Sequence, residues 1–155
     1  MLRALAGLVR FGGAASVCGH FPGTPQATAR IGYAPQGRGC ANDHTPRHLV
    51  GVVATLRTRT RDAEAVDRAL RSAGIDERSA RTVTTDLELV RRVALACALV
   101  GDPDVLILDD PWEFSETVAA IDAIRLRGGA VIAASHDPGG LPQILGRSLR
   151  LVEGV

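Results

Sequence analysis

A strand–helix–strand block in the second half of the chain constrains the fold more than any other feature. Asp104–Asp109 is a continuous apolar run that ends in acids, which is typical of a parallel strand buried on both faces. Ser115 can cap a helix that extends to about Arg127, where two glycines end it. Ala130–Ser135 is a second apolar strand. Strands joined in this way predict an α/β fold with a parallel sheet.

The sequence before this block predicts shorter elements. Residues 2–10 have apolar side chains at helical spacing, and a glycine pair follows them. Ala14–Gly19 and Ala29–Pro35 are predicted as short strands. After the block we expect a short helix and a last strand, Ser148–Val152. All of this fits one domain, residues 1–155.

The middle of the chain, residues 37–100, contains no strand pattern. After a polar loop, Pro46 suits the first turn of a helix that extends to about Arg57. Two more helices are predicted at about Asp62–Ala73 and Asp86–Val100. We therefore expect residues 37–100 to form a helical subdomain inserted in the α/β core.

Composition argues against several classes of function. The formal net charge is +1, which gives no electrostatic reason to expect a nucleic-acid partner. The three cysteines are an odd number without close pairing, so a reducing compartment is the default. Cys40, His44 and His48 have a spacing that could suggest zinc, but they do not make a closed ligand set. No apolar stretch is long enough to span a bilayer, and Arg10 interrupts the N-terminal apolar run too early for a signal peptide.

Polar residues of types that serve in catalysis and ligand binding follow the two strands of the block. The first strand ends in Asp109-Asp110-Pro111, and the second ends in Ser135-His136-Asp137. In an open parallel sheet, ligands bind beyond the carboxyl ends of the strands. One carboxylate there can hold Mg²⁺, mostly through water, while Mg²⁺ binds phosphates. A second can orient or deprotonate a water, and a histidine can contact the terminal phosphate. Each motif alone is also an ordinary turn, but together they favour a nucleotide site.

Four segments, in order, resemble motifs of the ATP-binding cassette (ABC) transporter ATPases, and the agreement extends over nearly the whole chain. Residues 101–111, GDPDVLILDDP, look like the Walker B segment, and residues 131–137, VIAASHD, resemble the H-loop. Residues 31–36, IGYAPQ, resemble the Q-loop, and residues 92–96, RVALA, resemble the helix after the family signature. The resemblance implies a core like that of P-loop NTPases.

The resemblance also implies roles for individual residues. Asp109 takes the place of the acid that serves Mg²⁺, and Asp110 takes that of the catalytic base. Gln36 is expected near Mg²⁺, through water, at the hinge to the helical subdomain. His136 takes the place of the switch histidine. ATP and Mg²⁺ are the implied ligands, and a second ATPase subunit and a transmembrane permease are the implied partners. The implied location is cytoplasmic, peripheral at the inner face of the cell membrane.

The chain departs from the family pattern in two ways. It contains no lysine, so the phosphate-binding loop GxxxxGK[ST], or Walker A, is absent from these residues. The family places that loop directly before a helix like residues 2–8, so Met1 resembles an internal start. In place of the signature LSGGQ stand residues 85–89, TDLEL, which lack its glycines and add two acids. Asp110 is also one methylene shorter than the usual glutamate.

These departures lead to three expectations. The chain is an N-terminally truncated ATPase domain with an incomplete core. MgATP binding by residues 1–155 alone is expected to be weak or absent, and hydrolysis impaired. The missing central strand is expected to leave the Asp104–Asp109 strand with an open apolar edge.

Three interpretations remain open. The main one is the ATP-hydrolysing subunit of an ABC transporter, of which this is a part. The second is a non-catalytic partner or remnant that pairs with an intact ATPase, which the altered signature favours. The third is a phospho-accepting receiver-like domain that uses Asp109 and Asp110, and the absence of lysine disfavours it.

Overall fold

The computed structural model of the protein describes residues 1–37, 43–60, 62–83, 86–111, 115–136 and 145–146. These residues contain seven helices and three strands. In chain order they are α1 (Leu2–Leu5), α2 (Pro25–Arg30), β1 (Ile31–Ala34), α3 (Pro46–Thr58), α4 (Ala63–Ser72), α5 (Glu77–Ala80), α6 (Leu87–Leu99), β2 (Val105–Asp109), α7 (Ser115–Leu126) and β3 (Ala130–Ala134).

The three strands form one parallel sheet in the order β1-β2-β3. Ile31 on β1 lies opposite Val105 on β2, and Val105 lies opposite Ala130 on β3. All three carboxyl ends therefore meet at one edge of the sheet. This confirms the predicted mixed α/β fold with a parallel sheet.

Strand β2 is buried on both faces, as its apolar run predicts. Leu106 and Leu108 pack in a cluster with residues of α3, α4, α6 and α7. Ile107 points the other way, into a smaller cluster with residues of α1 and α2. The three side chains are at most 1% exposed. Burial of each stabilises the fold by about 1.5–3 kcal/mol.

Helix α6 packs closely on β1 because Gly32 has no side chain. A Cβ at this position would collide with the carbonyl oxygen of Ala98 on α6. The close contact sets the position of β1 against the helix, and so fixes where the residues after β1 lie.

The middle helices begin close to the predicted positions, since the sequence carries clear caps. The Asp62 carboxylate accepts the Ala65 amide at 2.9 Å, and the Asp86 carboxylate accepts the Leu89 amide at 2.9 Å. The short helix α5, capped by Asp76, was not predicted. The described part of residues 43–100 forms α3 to α6, which share one core with β2 and α7. The division at 37–100 stays a prediction.

The N-terminal helix is shorter than the predicted 2–10. Helix α1 ends at Leu5, and Gly7 has a φ of +74°. A Cβ on Gly7 would lie 2.5 Å from the backbone nitrogen of Gly23. The chain therefore turns at Gly7 to pack against Gly23, which a continued helix would prevent.

The two short strands predicted before β1 are also corrected. Within Ala14–Gly19, only Val17 is paired, in an isolated antiparallel bridge to His20. Val17 and His20 are joined by a tight turn whose central residues, Cys18 and Gly19, both have positive φ. The predicted strand Ala29–Pro35 is a strand only from Ile31, because α2 occupies residues 25–30, with the Thr24 hydroxyl accepting the Ala27 amide.

The expected open edge at Asp104–Asp109 is wrong. Strand β2 is the central strand and has a hydrogen-bonded neighbour on each side. Among the described residues, the outer strands are β1 and β3, and Val131, Ile132, Ala133 and Ala134 of β3 are half-buried. The expectation assumed that the missing strand lies beside Asp104–Asp109, whereas β1 and β3 occupy both sides of it.

Several predicted features lie outside the described residues. They are the helix after Gly140, the strand Ser148–Val152, Cys40, Thr85 and Asp137. Within the described ranges, no helix is both long and apolar enough to cross a bilayer.

Candidate functional site

The carboxyl ends of the three strands bring together residues that are far apart in sequence. Gln36 lies two residues after β1, Asp109 ends β2, Asp110 follows it, and His136 lies two residues after β3. The structure therefore places the four predicted site residues at one edge of the sheet, where parallel α/β sheets bind ligands.

The Asp109 carboxylate is held by the neighbouring strand. Alternation along β2 places Asp109 on the same face as Ile107, and Tyr33 on β1 lies opposite Ile107. The Tyr33 hydroxyl donates a hydrogen bond to Asp109 Oδ2 at 3.0 Å. Burial raises the pKa of the Tyr33 phenol, and the hydrogen bond and the negative charge of Asp109 raise this pKa further. The phenol is therefore a neutral donor at neutral pH.

The Asp110 carboxylate connects the ends of all three strands. Gln36 Nε2 donates to Asp110 Oδ2 at 3.0 Å. The Ser135 hydroxyl and the His136 amide donate longer bonds to Asp110 Oδ1, at 3.4 and 3.5 Å. Gln36 is 74 residues away from Asp110 and His136 is 26 away. A carboxylate accepts about four hydrogen bonds, so Asp110 keeps capacity for one more donor, such as a water.

The backbone of Asp110 has an unusual conformation. Its φ is +53°, in the left-handed region that few residues other than glycine adopt. Its amide donates to the Ala134 carbonyl at 2.7 Å, which continues the β2–β3 pairing by one residue. This conformation turns the Asp110 side chain away from the direction that alternation along β2 would give it, and toward Gln36 and Ser135.

His136 reaches the site through its backbone. Its amide contacts Asp110, and the residue is exposed. Among the described residues the imidazole makes no hydrogen bond or ion pair. The structure thus places the predicted switch histidine after the end of β3, without a side-chain contact to Asp110.

A small cavity of about 40 Å³ adjoins the two acids. Its wall includes Pro35 and Gly37 after β1, Asp109 and Asp110 after β2, and side chains of α6 and α7. The volume suits water molecules and is far too small for a nucleotide. A nucleotide at this edge would therefore lie over the strand ends and not inside the cavity.

Arg92 on α6 connects this helix to α7 and to the turn after α4, beside this cavity. Its guanidinium donates to Glu116 on α7 at 2.8 Å, to Glu88 at 3.0 Å and to the Gly74 carbonyl at 3.3 Å. The pKa of the Glu116 carboxyl is lowered, first by a hydrogen bond from its own backbone amide and then by Arg92. The pair fixes α7, which follows the Asp109–Pro111 turn, against the helical layer.

The acids at the altered signature have structural roles. Asp86 caps α6, and Glu88 in its first turn contacts Arg92. Both positions favour acids because the N-terminus of a helix carries a partial positive charge.

The described residues offer few metal ligands. They contain no group of three or more His, Cys, Asp or Glu side chains positioned to hold one ion. The rings of His44 and His48 lie 4.7 Å apart, between centroids, at the start of α3. At the sheet edge, Asp109 Oδ1 accepts no hydrogen bond from the described residues, so it is one of the oxygens there that can contact a hydrated cation. Mg²⁺ suits such a site, since it retains several waters and takes one or two carboxylates.

Sequence reasoning did not assign a role to Tyr33 or Ser135. Ser135 was identifiable only as part of a polar strand end. Tyr33 alternates with Ile31 on one face of β1, but its contact with Asp109 depends on the register between two strands that are separated by 76 residues. The local sequence does not contain that register.

Comparison with known proteins gives matches in sequence. The chain is 38% identical over 92 residues to a probable anion import ATP-binding protein of Haloferax volcanii, covering 55% of this chain and 32% of that protein. It is 32% identical over 117 residues to the probable multidrug ABC transporter ATP-binding protein YbhF of Escherichia coli, covering 72% of this chain and 20% of that protein. No family model matches.

The fold is also similar to that of solved ATP-binding cassettes. A dimeric ATP-binding cassette, MJ0796, solved in a post-hydrolysis state with ADP and Pi bound, superposes with a TM-score of 0.63 at 20% identity. The superposition covers 72% of this chain and 56% of that chain. The present chain thus spans about a third or less of the curated relatives and just over half of this solved structure.

Sequence matches to ATP-binding proteins and the shared fold agree with the three motifs at the sheet edge and the fourth on α6. The chain belongs to the ATP-binding cassette ATPases and corresponds to part of an ATPase domain of that family.

Proposed function

We propose that the chain is part of the ATP-binding subunit of an ABC-type transporter, in which ATP binding and hydrolysis drive transport. The observation that carries the proposal is the arrangement of Gln36, Asp109, Asp110 and His136 at one sheet edge. The Gln36–Asp110 hydrogen bond of 3.0 Å joins two of the predicted motifs directly.

In this proposal Asp109 and Gln36 hold Mg²⁺, mostly through water. Bound Mg²⁺ would supply positive charge to the phosphate oxygens of ATP. Phosphates and water complete the coordination of Mg²⁺ in such sites.

Asp110 would act as the base that orients and deprotonates the attacking water. Its Oδ1 and Oδ2 atoms already accept hydrogen bonds from Ser135 and Gln36. These bonds hold the carboxylate over the strand ends, and its remaining acceptor capacity is available to a water. The exposed imidazole of His136 would contact the terminal phosphate.

Partners and location are proposed from the relatives. MJ0796 is a dimeric cassette, and the curated relatives are ATP-binding proteins of an anion import system and of a multidrug ABC transporter. We infer a second ATPase subunit and a transmembrane permease as partners. The protein would then act in the cytoplasm, at the inner face of the membrane.

Affinity for ATP should be low when residues 1–155 are tested alone. Most phosphate affinity in this class of site comes from a glycine-rich loop at a helix N-terminus and its lysine. These 155 residues contain neither GxxxxGK[ST] nor any lysine. A method that detects weak binding is therefore needed.

The test is a titration of the full chain with Mn²⁺–ATP at millimolar concentration, followed by NMR. Paramagnetic Mn²⁺ broadens amide resonances near its binding site even when binding is weak. We expect selective broadening at the amides of Gln36, Asp109, Asp110 and His136, and loss of this broadening in Asp109→Asn. Arg30→Gln is the matched control, because it removes a contact to Asp104 at the opposite ends of β1 and β2.

Selective broadening that Asp109→Asn abolishes and Arg30→Gln leaves unchanged would support the proposal. Absence of broadening, or broadening centred elsewhere, would contradict it.

A further inference from the structure

Thr117 is a buried polar residue close to the two acids of the sheet edge. It lies in the first turn of α7 and is 5% exposed. No other polar or charged residue in the described ranges is buried to this degree. Its hydroxyl makes no hydrogen bond with the described residues. Because a buried hydroxyl without a partner destabilises the folded state, we expect this one to have a partner of another kind.

The hydroxyl of Thr117 opens to the cavity beside the acids. Thr117 lines this cavity of about 40 Å³ together with Asp109 and Asp110. Its Oγ1 is not one of the fully enclosed side-chain atoms that lack a partner, so the oxygen can be reached by a molecule the size of water. About 10–15 Å³ is enough to hold one water. The ligand that fits the cavity is therefore water.

The two acids can accept the hydrogen bonds that a water in the cavity donates. Asp109 Oδ1 accepts no hydrogen bond from the described residues, and Asp110 Oδ1 accepts only the long bonds of 3.4 and 3.5 Å. Both acids are half-buried, so bulk water reaches them only in part. A buried water typically has about two to four polar partners. The Thr117 hydroxyl and the two carboxylates provide three.

The other charged side chains at the cavity already have partners. Arg92 and Glu116 form a hydrogen bond with each other at 2.8 Å. Arg91 also has an interaction partner. Thr117 is therefore the group on the helix side of the cavity that needs a water most.

We propose that the cavity is a binding site for ordered water, and that Thr117 is a positioning residue which holds Asp109 and Asp110 through that water. The Thr117 hydroxyl donates to the water, and the water donates one hydrogen bond to each carboxylate. This link joins α7 to the end of β2, where Asp110 has a φ of +53°. The importance of the link for catalysis rests on the proposed function, since it takes Asp110 as the base, whereas the water site itself does not.

Thr117→Val separates a water-bound hydroxyl from one without a partner, because the two side chains have nearly the same shape. If water binds the hydroxyl, valine removes a hydrogen bond and leaves the water with one partner fewer, so the equilibrium constant for unfolding rises. If the hydroxyl has no partner, valine removes a buried polar group and the same constant falls. The sign of the change is therefore decisive.

The experiment uses the full chain without metal or nucleotide. Relaxation dispersion of oxygen-17 in the solvent counts the long-lived bound waters and is blind to hydroxyl protons, and urea unfolding gives the equilibrium constant. The proteins compared are the unmodified chain, Thr117→Val, Thr117→Ser and Thr55→Val. Thr117→Ser keeps the hydroxyl. Thr55→Val is the matched control, because the exposed Thr55 hydroxyl donates to the Gly51 carbonyl within α3, away from the cavity.

We expect Thr117→Val to lose about one long-lived water and to raise the unfolding constant about fivefold, the factor that corresponds to one hydrogen bond of ordinary strength. Thr117→Ser should keep the water, and Thr55→Val should leave the number of waters unchanged. An unchanged number of waters in Thr117→Val, or an unfolding constant that falls, would overturn the water site. Loss of the water from Thr117→Ser as well would show that the hydroxyl does not hold it, and would overturn the role of Thr117.

The positioning of the acids has a separate readout. The Gln36 side-chain amide and the His136 backbone amide both donate to the Asp110 carboxylate, so their NMR shifts report its position. Both shifts should change in Thr117→Val and return to the parent values in Thr117→Ser. Shifts that stay unchanged in Thr117→Val while the water is lost would overturn the positioning role and leave the water site. Because no nucleotide is present, a negative Mn²⁺–ATP titration would contradict the proposed function without affecting either result.

Discussion

The two ends of the β1–β2 strand pair hold their acids in opposite ways. At the amino end, Arg30 donates to Asp104 at 2.7 Å, and both side chains are 51% exposed. At the carboxyl end, Asp109 and Asp110 accept hydrogen bonds from Tyr33 and Gln36, which are neutral. Among the described residues, neither Asp109 nor Asp110 forms an ion pair.

The difference distinguishes an acid that already forms an ion pair within the chain from acids whose negative charge is available to a bound cation. The charge of Asp104 is already compensated by a cation of the same chain. Neutral donors orient Asp109 and Asp110 without neutralising them, so their negative charge remains available to an external cation. Like charges held close together also cost stability, which proteins commonly accept at functional sites.

Both ends depend on the same strand register, so the largest expected effect comes from disrupting it. In Gly32→Val the new side chain would collide with Ala98 on α6, and β1 would have to move. We expect a loss of about 3 kcal/mol in the free energy of unfolding, measured in urea, together with loss of the Asp109-dependent broadening by Mn²⁺–ATP described above.

Gly51→Ala is the control for this substitution. Gly51 lies within α3, and a Cβ there has no neighbour within 4 Å. Alanine should stabilise the helix by about 0.5–1 kcal/mol. A Gly32→Val protein as stable as the parent would show that α6 does not set the position of β1.

The second effect concerns Tyr33, which is the only tyrosine in the chain. Its pKa is raised, first by burial and then by Asp109. Because the pKa in the folded state exceeds the unfolded value, the neutral phenol adds stability that is complete below about pH 10. That stability is lost as the pH rises through the folded pKa.

Ultraviolet titration of the phenol, without divalent cations, measures this directly. The midpoint should lie above the ordinary value of about 10. Asp109→Asn should lower the midpoint but leave it raised, because burial remains. Asp104→Asn, at the amino end, should not change it. Equal midpoints in the parent and Asp109→Asn would show that the Tyr33–Asp109 contact is not formed in solution.

The sequence was sufficient to predict the α/β class, the buried β2 strand and most of the middle helices. Asp104–Asp109 is apolar enough to be buried on both faces, and Asp62 and Asp86 are helix caps whose chemistry is local. Asp109, Asp110 and His136 were predictable as neighbours, because the carboxyl ends of parallel strands meet at one edge, whereas Gln36 was expected there only from the resemblance to the Q-loop.

What the sequence did not reveal depends on contacts between distant segments. Helix α2 had a local signal, Thr24 before Pro25, but the apolar alternation of Ile31 and Tyr33 led to a strand that began too early. The end of α1 depends on the approach of Gly7 to Gly23. The central position of β2 and the Tyr33–Asp109 contact both depend on strand order and register.

The smallest effect is the response of the two ends to salt. The Arg30–Asp104 pair is exposed, so its coupling energy should be about 0.5 kcal/mol at low ionic strength. In about 1 M salt the coupling should be smaller still, because salt then screens electrostatic interactions beyond about 3 Å. The Tyr33–Asp109 bond has one neutral partner and is partly buried, so its coupling of about 1 kcal/mol should hardly change. Double-mutant cycles from urea unfolding, with Arg30→Gln and Asp104→Asn in one and Tyr33→Phe and Asp109→Asn in the other, measure both couplings. If the two couplings fell equally with salt, the carboxyl end would be held by charge as the amino end is, and the distinction between a compensated acid and an available one would fail.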